Sequence, residues 1–489
     1  KPGVCLVTRG PGSTNASIGV HTARQDSTPM ILLVGQVSTD MLGREAWQEI
    51  DIARMFAPLA KWATQVDQAE RLPEVLSRAF HTAVSGRPGP VVIALPEDVL
   101  YAQTTVADAG PYRAVRVHAD PAGLARMNEL IAGASRPLVI LGGSGWNAQA
   151  CADLQAFCAA FDLPAGTAWR RQDLFDNRHG NYAGDIGVAV NAKLSQRVRD
   201  ADLILAIGTR LSETTTSGYT LLDVPRPKQK LVHVHAGAEE LGRVYQADLM
   251  INCGMPEFAA AARGLVPPDA PRWQAWTRSA HADYVETLKP GPMPGALDLG
   301  AVMAHLRERL PADAIVTNGA GNYSGWVHRY YQYRGFRTQL APTSGVMGYG
   351  TPAACAAALV HPGRTVVCFA GDGCFQMSSQ ELATVKQYRL PVVFIVVNNG
   401  IYGSIRMHQE MRFPARVHAT SLENPDFAAL AAAYGLHGSV VERTADFPAA
   451  LERALAAGTG AVIELKVDPE AITTRTTLRA LRQAAQSRR

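Results

Sequence analysis

The sequence lacks the features of a membrane protein, a nucleic-acid-binding protein or a disulfide-stabilised secreted protein. No stretch approaches the roughly 18 uncharged apolar residues that span a bilayer. Lys and Arg number 47 against 43 Asp and Glu, without a basic stripe, so neither a membrane nor a nucleic acid is expected as a partner. The seven cysteines lie far apart and form no C-x-x-C pair, which fits reduced thiols in a cytoplasmic protein better than disulfides or a zinc knuckle.

Short continuous apolar runs recur along the chain and indicate the fold class. They do not alternate with polar residues, so both faces of each predicted strand should be buried, as in parallel sheets covered by helices. Segments with helical spacing lie between the runs, in the strand–helix–strand order of doubly wound folds. We therefore predict an α/β protein. The predicted strands are Val4–Val7, Met30–Val34, Val91–Leu95, Leu138–Leu141, Leu203–Ile207, Leu231–Val234, Thr365–Ala370, Val392–Val397 and Ala461–Leu465.

The length of 489 residues exceeds what one hydrophobic core usually organises, so two to four domains of roughly 100–200 residues are expected. Two segments rich in turn-forming residues, Ala102–Gly123 and Val266–Gly295, are predicted linkers. They leave three α/β units at about 1–105, 122–265 and 296–489. The first unit is short and opens directly into an apolar strand, so we expect it to be N-terminally incomplete.

Polar residues follow two predicted strands of the third unit. The first strand ends in Gly371-Asp372-Gly373, and the second ends in Asn398-Asn399, 27 positions after Asp372. Ser378-x-x-Glu381 between them reads as a capping box that begins a crossover helix. A right-handed crossover makes the strands parallel and brings both polar ends to one edge of the sheet. Asp372 and Asn399 can then share a cation.

The chemistry of these side chains suits Mg²⁺. A carboxylate, an amide and nearby carbonyls are hard oxygen ligands, and Mg²⁺ commonly takes its other ligands from phosphate and water. Gly373 allows the backbone to approach a phosphate closely, and a following helix N-terminus offers free N–H groups. The pattern therefore indicates a Mg²⁺-bridged diphosphate. The alternative is a structural one, in which Gly-Asp-Gly is a tight turn and Asn-Asn a strand-end loop.

Gly371-Asp372-Gly373, followed by 24 residues and Asn398-Asn399, resembles the signature of thiamin diphosphate enzymes. The adjoining segment Cys374–Leu382 is similar to the acetolactate synthase large-subunit branch, and the similarity extends over nearly the whole chain. The resemblance implies three doubly wound parallel-sheet domains: a pyrimidine-binding domain (1–105), a central domain (122–265) and a diphosphate-binding domain (296–489). Further matching segments are Gly10–Asn15, Gly35–Val37, Gly86–Pro90 and Gly345–Gly350.

The resemblance also implies roles for single residues. Asp372, Asn399 and the carbonyl of Ile401 would hold Mg²⁺. Met347 would support the thiazolium ring, with ordinary core filling as the alternative, and the Gly345 carbonyl would accept a hydrogen bond from the 4′-amino group. The remaining positions implied near the cofactor are Gly371, Gly373, Cys374 and Tyr402.

Other implied positions concern the substrate and the partner subunit. Gln48 and its neighbour Trp47 match positions that approach the substrate from a second subunit, so a homodimer or a dimer of dimers with its site between chains is expected. A surface position for both residues is the alternative. The glutamate that activates the cofactor in this family would lie about 15 positions before Lys1, and its absence leaves open a catalytically inactive cofactor-fold protein.

Three substrate-side positions depart from acetolactate synthases. His408 stands in place of a tryptophan, Thr214 in place of the arginine that receives the second 2-oxo acid, and Glu97 in place of a lysine. His408 could donate or accept a proton, or lie exposed without a catalytic role. The resemblance thus predicts an enzyme that decarboxylates a 2-oxo acid and can pass the product to an acceptor.

Two questions stay open at the sequence level. The run Asn398–Gly403 is also similar to benzoylformate decarboxylase, so a simple 2-oxo acid decarboxylase is an alternative function. The glycine turns Gly142-Gly143 and Gly208-Thr209-Arg210 match stretches near the flavin in acetolactate synthases, so FAD is a possible further cofactor. Glycine turns are common after strands of doubly wound domains, and the signal is weak.

Overall fold

The computed structural model describes residues 1–488 and contains three β-sheets with helices between their strands. Every strand pair in the three sheets is parallel. The predicted apolar runs form strands; Leu203–Ile207, for example, is a strand of five buried residues. The expected burial of both faces is wrong for Val4–Val7, because this strand lies at the edge of its sheet and Val4 and Leu6 are exposed. The predicted α/β class with three parallel sheets is therefore confirmed.

The first sheet has four strands in the order β1-β2-β4-β3. Its strands are β1 (Gly3–Val7), β2 (Met30–Gln36), β3 (Trp62–Gln65) and β4 (Pro90–Pro96). Its helices are α1 (Gly10–Asp26), α2 (Ile52–Phe56), α3 (Leu72–Val84) and α4 (Glu97–Tyr101). Gly10–Asn15 forms the first turns of α1, because Pro11 suits a helix start and the Ser13 hydroxyl donates to the Gly10 carbonyl at 3.0 Å.

The second sheet has six strands in the order β10-β9-β8-β5-β6-β7. Its strands are β5 (Pro137–Leu141), β6 (Ala165–Ala168), β7 (Tyr182–Ile186), β8 (Leu203–Ile207), β9 (Lys230–His235) and β10 (Leu249–Asn252). Its helices are α5 (Pro121–Gly133), α6 (Ala148–Ala160), α7 (Ala192–Asp200), α8 (Met255–Arg263) and α9 (Gln274–Thr287).

Helix α9 lies inside the segment Val266–Gly295, so that segment is not the irregular linker that its prolines predicted. Trp273, just before α9, is buried and donates its indole N–H to the Phe161 carbonyl at 3.0 Å. Tyr284 of α9 packs edge-on against Tyr182 of β7. This packing attaches α9 to the second sheet. The exact domain boundaries stay a prediction.

The third sheet also has six strands, in the order β12-β11-β13-β14-β16-β15. Its strands are β11 (Ile315–Asn318), β12 (Gln339–Leu340), β13 (Val366–Gly371), β14 (Val392–Asn398), β15 (His437–Val441) and β16 (Ala461–Lys466). Its helices are α10 (Leu299–Arg309), α11 (Ser324–Tyr330), α12 (Gly350–Val360), α13 (Asp372–Gln376), α14 (Leu382–Tyr388), α15 (Gly403–Arg412), α16 (Phe427–Ala433), α17 (Phe447–Ala456) and α18 (Leu478–Gln486).

The crossover between β13 and β14 differs from the capped single helix that the sequence predicted. Helix α13 begins at Asp372 directly after β13, a short 3₁₀ turn follows at Ser379–Glu381, and α14 completes the crossover. The predicted capping box is wrong, because the Ser378 hydroxyl donates to the Gly348 carbonyl at 2.8 Å rather than accepting from the helix. The two strands nevertheless pair in parallel, with Gly371 opposite Val397.

None of the helices in residues 1–488 combines the length and the apolar content that crossing a membrane requires.

Candidate functional site

A cleft opens at the carboxyl edge of the third sheet, where the strand order reverses between β11 and β13. Ligands of doubly wound sheets bind at such switch points. The cleft has a volume of about 610 Å³, part of it open to solvent. Its walls come from the segments that follow β11, β13 and β14, and they include Ala320–Tyr323, Met347, Gly371–Cys374, Asn399 and Ile401–Ile405.

Asp372 is a buried carboxylate at the floor of this cleft, with 4% of its surface exposed. Its Oδ1 accepts from the backbone N–H of Gly373 at 2.7 Å, and its Oδ2 accepts from the N–H of Gly400 at 2.9 Å. Within residues 1–488 it forms no salt bridge, and burial raises its pKa against the opposing effect of these donors. A buried carboxylate without a cationic side chain is suited to a metal ion.

Asn399 and Ile401 lie beside Asp372, as the strand order requires. The Asn399 Oδ1 accepts from the N–H of Ile401 at 3.2 Å. The backbone here pairs with Thr420–Leu422, through Tyr402 N–H to the Thr420 carbonyl at 2.9 Å and Leu422 N–H to the Gly400 carbonyl at 2.8 Å. In the described chain the Ile401 carbonyl oxygen accepts no hydrogen bond and is therefore available to a ligand. The oxygens at this edge fit Mg²⁺ chemically.

Asn424 is part of the site and was not predicted. Its side-chain amide donates to Asp372 Oδ2 and to Asn398 Oδ1, both at 2.8 Å. Asn424 thus fixes the orientation of the Asp372 carboxylate. It lies on a loop whose position cannot be predicted from the pattern of strands. The sequence offers only the Asn424-Pro425 dipeptide, an ordinary turn signal, so no local feature identifies its role.

Two glycines at the end of β13 make room for aromatic rings. A Cβ at Gly373 would lie 2.7 Å from Tyr402 Cε1, and one at Gly371 would lie 2.7 Å from Tyr323 Cδ1. Either side chain would displace a wall of the cleft. Tyr323 is a second residue that was not predicted: its hydroxyl donates to Cys374 Sγ at 3.2 Å and accepts from the N–H of Gly319 at 3.1 Å.

Gly345 and Met347 belong to the loop between β12 and α12. Gly345 has φ +69°, which favours glycine, and its N–H donates to the Pro342 carbonyl at 3.0 Å. Met347 is partly buried, packs against the core of the third sheet and lines the cleft. The next glycine, Gly348, donates its N–H to Cys374 Sγ at 3.2 Å, which ties this loop to α13.

His408 and Gln48 lie apart from the cleft. His408 is exposed on α15 and is not among the residues lining the cleft, although Ser404 and Ile405 of the same helix are. Gln48 lies at the start of α1, where its carbonyl accepts from the N–H of Gly10 at 3.0 Å, and the adjacent Trp47 is exposed. The predicted cofactor-side residues thus line the cleft except Gly345, which lies two residues before Met347 in the same loop, whereas these two substrate-side residues lie outside it.

The fold and the cleft define a doubly wound α/β protein whose oxygen-rich, glycine-lined edge suits a metal-bound phosphate ligand. Three family models match the chain: the N-terminal TPP binding domain of thiamine pyrophosphate enzymes at residues 1–55, their central domain at 124–262 and their C-terminal TPP binding domain at 319–465. The chain belongs to the thiamine pyrophosphate, or thiamin diphosphate, enzyme family.

Similar curated proteins are acetolactate synthases. The isozyme 2 large subunit of Escherichia coli K12 is 30% identical over 96% of this chain and 84% of that protein. The large subunit of Parasynechococcus marenigrum WH8102 is 33% identical over 90% and 72% of the two chains. A probable large subunit of Methanocaldococcus jannaschii is 30% identical over 96% and 81%. These similarities confirm the predicted acetolactate synthase-like, thiamin diphosphate-dependent class.

Proposed function

We propose that this chain binds thiamin diphosphate through Mg²⁺ at Asp372, Asn399 and Ile401, decarboxylates a 2-oxo acid and transfers the product to an acceptor. The observation that carries this proposal is the buried Asp372 carboxylate, which has no cationic partner in the described chain and lies beside the free Ile401 carbonyl. Similarity to acetolactate synthases favours carboligation over simple decarboxylation and over an inactive cofactor-fold protein.

Different residues of the cleft would bind different parts of the cofactor. Asp372, Asn399 and Ile401 would hold the metal, Gly373 and Cys374 would leave backbone space for the diphosphate, and Met347 would support the reactive ring. When bound, thiamin diphosphate supplies the electron sink for decarboxylation, while the protein supplies position and electrostatics. Asn424 would keep the Asp372 carboxylate in the orientation that the metal requires.

Titration with thiamin diphosphate, with and without Mg²⁺, tests the proposed site. Wild-type protein should bind the cofactor in a Mg²⁺-dependent manner, and Asp372→Ala should lose that dependence. Asp446→Ala is a matched control, because Asp446 pairs with Arg443 on the exposed surface of the same unit. Mg²⁺-independent binding, or normal binding by Asp372→Ala, would exclude the proposed metal site.

A homodimer with shared sites is part of the proposal, and the position of α1 supports it. The C-terminal residue of α1, Asp26, accepts from the Thr343 N–H at 2.7 Å, next to Gly345. Gln48 lies at the other end of this helix of 17 residues, about 25 Å away along its axis. Gln48 of one chain is therefore remote from its own Gly345 loop, and a second copy would have to bring a Gln48 to the site.

The glycine turns that the sequence connected with FAD leave little space between them. The glycine turns after β5 and β8 pack on each other, so that a Cβ at Gly143 would lie 1.9 Å from the Gly208 carbonyl oxygen. The crevice beside these turns, at Ser27, Arg87 and His235, is small, with about 220 Å³ including space open to solvent. FAD binding stays a prediction, and no step of the function is derived through it.

We also propose a cytoplasmic location. All seven cysteines are free, and six of them are buried within the three units. Unpaired, buried thiols are typical of proteins from a reducing compartment.

A further inference from the structure

A second cavity adjoins the cleft, between the units built on the second and third sheets. It has a volume of about 1330 Å³, part of it open to solvent, and it shares Ala320–Asn322 and Ser404 with the cleft. Val188, Leu194 and Tyr284 give it an apolar side. A molecule in this cavity would therefore lie directly beside a substrate in the cleft.

The charge of this cavity is predominantly positive. Its walls carry three arginines, Arg170, Arg329 and Arg475, and within the described residues Asp185 is their single acidic member. Arg170 is already engaged, because its Nη2 donates to the Gly319 carbonyl at 2.8 Å and its Nη1 to the Pro342 carbonyl. Neither Arg329 nor Arg475 forms a salt bridge with any residue between 1 and 488.

Arg329 and Arg475 face the same space. The Arg475 Nη2 donates to the carbonyls of Ala189 and Val190, two residues of the cavity wall, at 2.6 and 2.9 Å. Arg475 is exposed at the surface, but partial desolvation by its neighbours lowers the pKa of its guanidinium, and the charge of Arg329 lowers it further. The Arg329 Nε is buried and has no hydrogen-bond partner in the described chain. Two neighbouring cations and a buried donor without an acceptor suit an anionic ligand.

We propose that Arg329 and Arg475 bind the carboxylate of the acceptor 2-oxo acid, with its carbon chain against the apolar side of the cavity. This inference rests on the proposed function, because the decarboxylated substrate would occupy the cleft beside Met347 and the acceptor would occupy the adjoining space. The positive charge comes from α11, which carries Arg329, and from the segment after β16, which carries Arg475.

Calorimetric titration of the protein loaded with thiamin diphosphate and Mg²⁺ tests the site with two probes. Lactate has the carboxylate but no 2-oxo group to react, and lactamide is its neutral analogue. At low ionic strength lactate should bind at least about tenfold more tightly than lactamide, since only the carboxylate forms charge-assisted hydrogen bonds. Arg329→Gln and Arg475→Gln should each raise the lactate Kd about tenfold, and Arg329→Lys should raise it less.

Arg479→Gln is the matched control. Arg479 is exposed, lies four residues after Arg475 and is outside the cavity wall, so its removal should leave the lactate Kd unchanged. With pyruvate as sole substrate, the ratio of carboligation product to released aldehyde should fall in both cavity variants and not in the control. Circular dichroism and Tm measurements would establish that each variant is folded.

Equal affinities for lactate and lactamide, or unchanged affinity in both cavity variants, would overturn the proposal. Tighter, arginine-dependent binding of inorganic phosphate would overturn the assignment to a carboxylate. The proposed function can fail separately: Asp372 is not in the cavity wall, so Asp372→Ala should still bind lactate even where cofactor-dependent turnover is lost.

Discussion

Asp185 should make the stability of this protein depend on pH near neutrality. It lies on β7 with its Oδ1 buried and without a hydrogen-bond partner in residues 1–488. Burial raises its pKa to about 7, partly offset by Arg170. The folded state therefore holds this proton more tightly than the unfolded state, and the resulting stabilisation is lost as pH rises from about 4 to 7.

Asp185→Asn tests this effect, because the amide resembles the protonated acid at every pH. Relative to the wild type, the variant should gain about 2–4 kcal/mol of unfolding free energy between pH 4 and pH 8. Urea unfolding of both proteins at the two pH values would measure the change. A difference between the proteins that stays constant with pH would contradict the prediction.

Some residues of the site could be predicted from the sequence, and others could not. Asp372, Asn399 and Ile401 could be predicted because two buried parallel strands bring their ends to one edge. Asn424 and Tyr323 could not, because their roles arise from loops that fold back onto that edge. The structure places these residues together, whereas their catalytic roles stay predictions.

The elements of the fold were predictable wherever a strand is continuously apolar. Met30–Val34 and Val392–Val397 form strands with at most two residues added, the first partly buried and the second fully buried. The strands that were missed are β3, β6, β7, β10, β11, β12 and β15. Among them, Ala165–Ala168 is short and rich in small residues, and Tyr182–Ile186 contains Gly184 and Asp185. Their strand character comes from pairing within a sheet rather than from local composition.

Arg170 connects three of these elements, and its replacement should loosen the cleft. Its guanidinium, 1% exposed, joins the end of β6 to the Gly319 and Pro342 carbonyls, which precede two segments of the cleft wall. Arg170→Lys keeps the charge but cannot reach both carbonyls in the same fork geometry. We expect a lower Tm and about tenfold weaker cofactor binding, since one buried carbonyl loses its donor.

Differential scanning fluorimetry and cofactor titration would measure the two effects of Arg170→Lys. Arg178→Lys is the control, because Arg178 is exposed and pairs with Asp176 in the same unit. An Arg170→Lys protein with the Tm and cofactor affinity of the control would show that the connection is not needed.

At the scale of the whole molecule, the two parts of the proposed site in one chain, the Gly345 loop and Gln48, lie at opposite ends of α1. Asp26 fixes one end of the helix beside the Gly345 loop, while Gln48 and the exposed Trp47 lie at the other end. Isologous pairing of two copies would bring each Gln48 to the partner's cleft and create two equivalent sites. It would also cover exposed apolar surface at Trp47 and exclude water from the reacting atoms.

Subunit complementation tests this arrangement directly. Gln48→Ala and Asp372→Ala proteins should each have little activity, since each homodimer carries two defective sites. After equal mixing and subunit exchange, half of the dimers should be heterodimers with one intact site of two, so activity should recover to about one quarter of the wild-type value. Mixing each variant with itself is the control, and native mass spectrometry would verify exchange. Verified heterodimers that recover no activity would mean that Gln48 and Asp372 do not act across the interface.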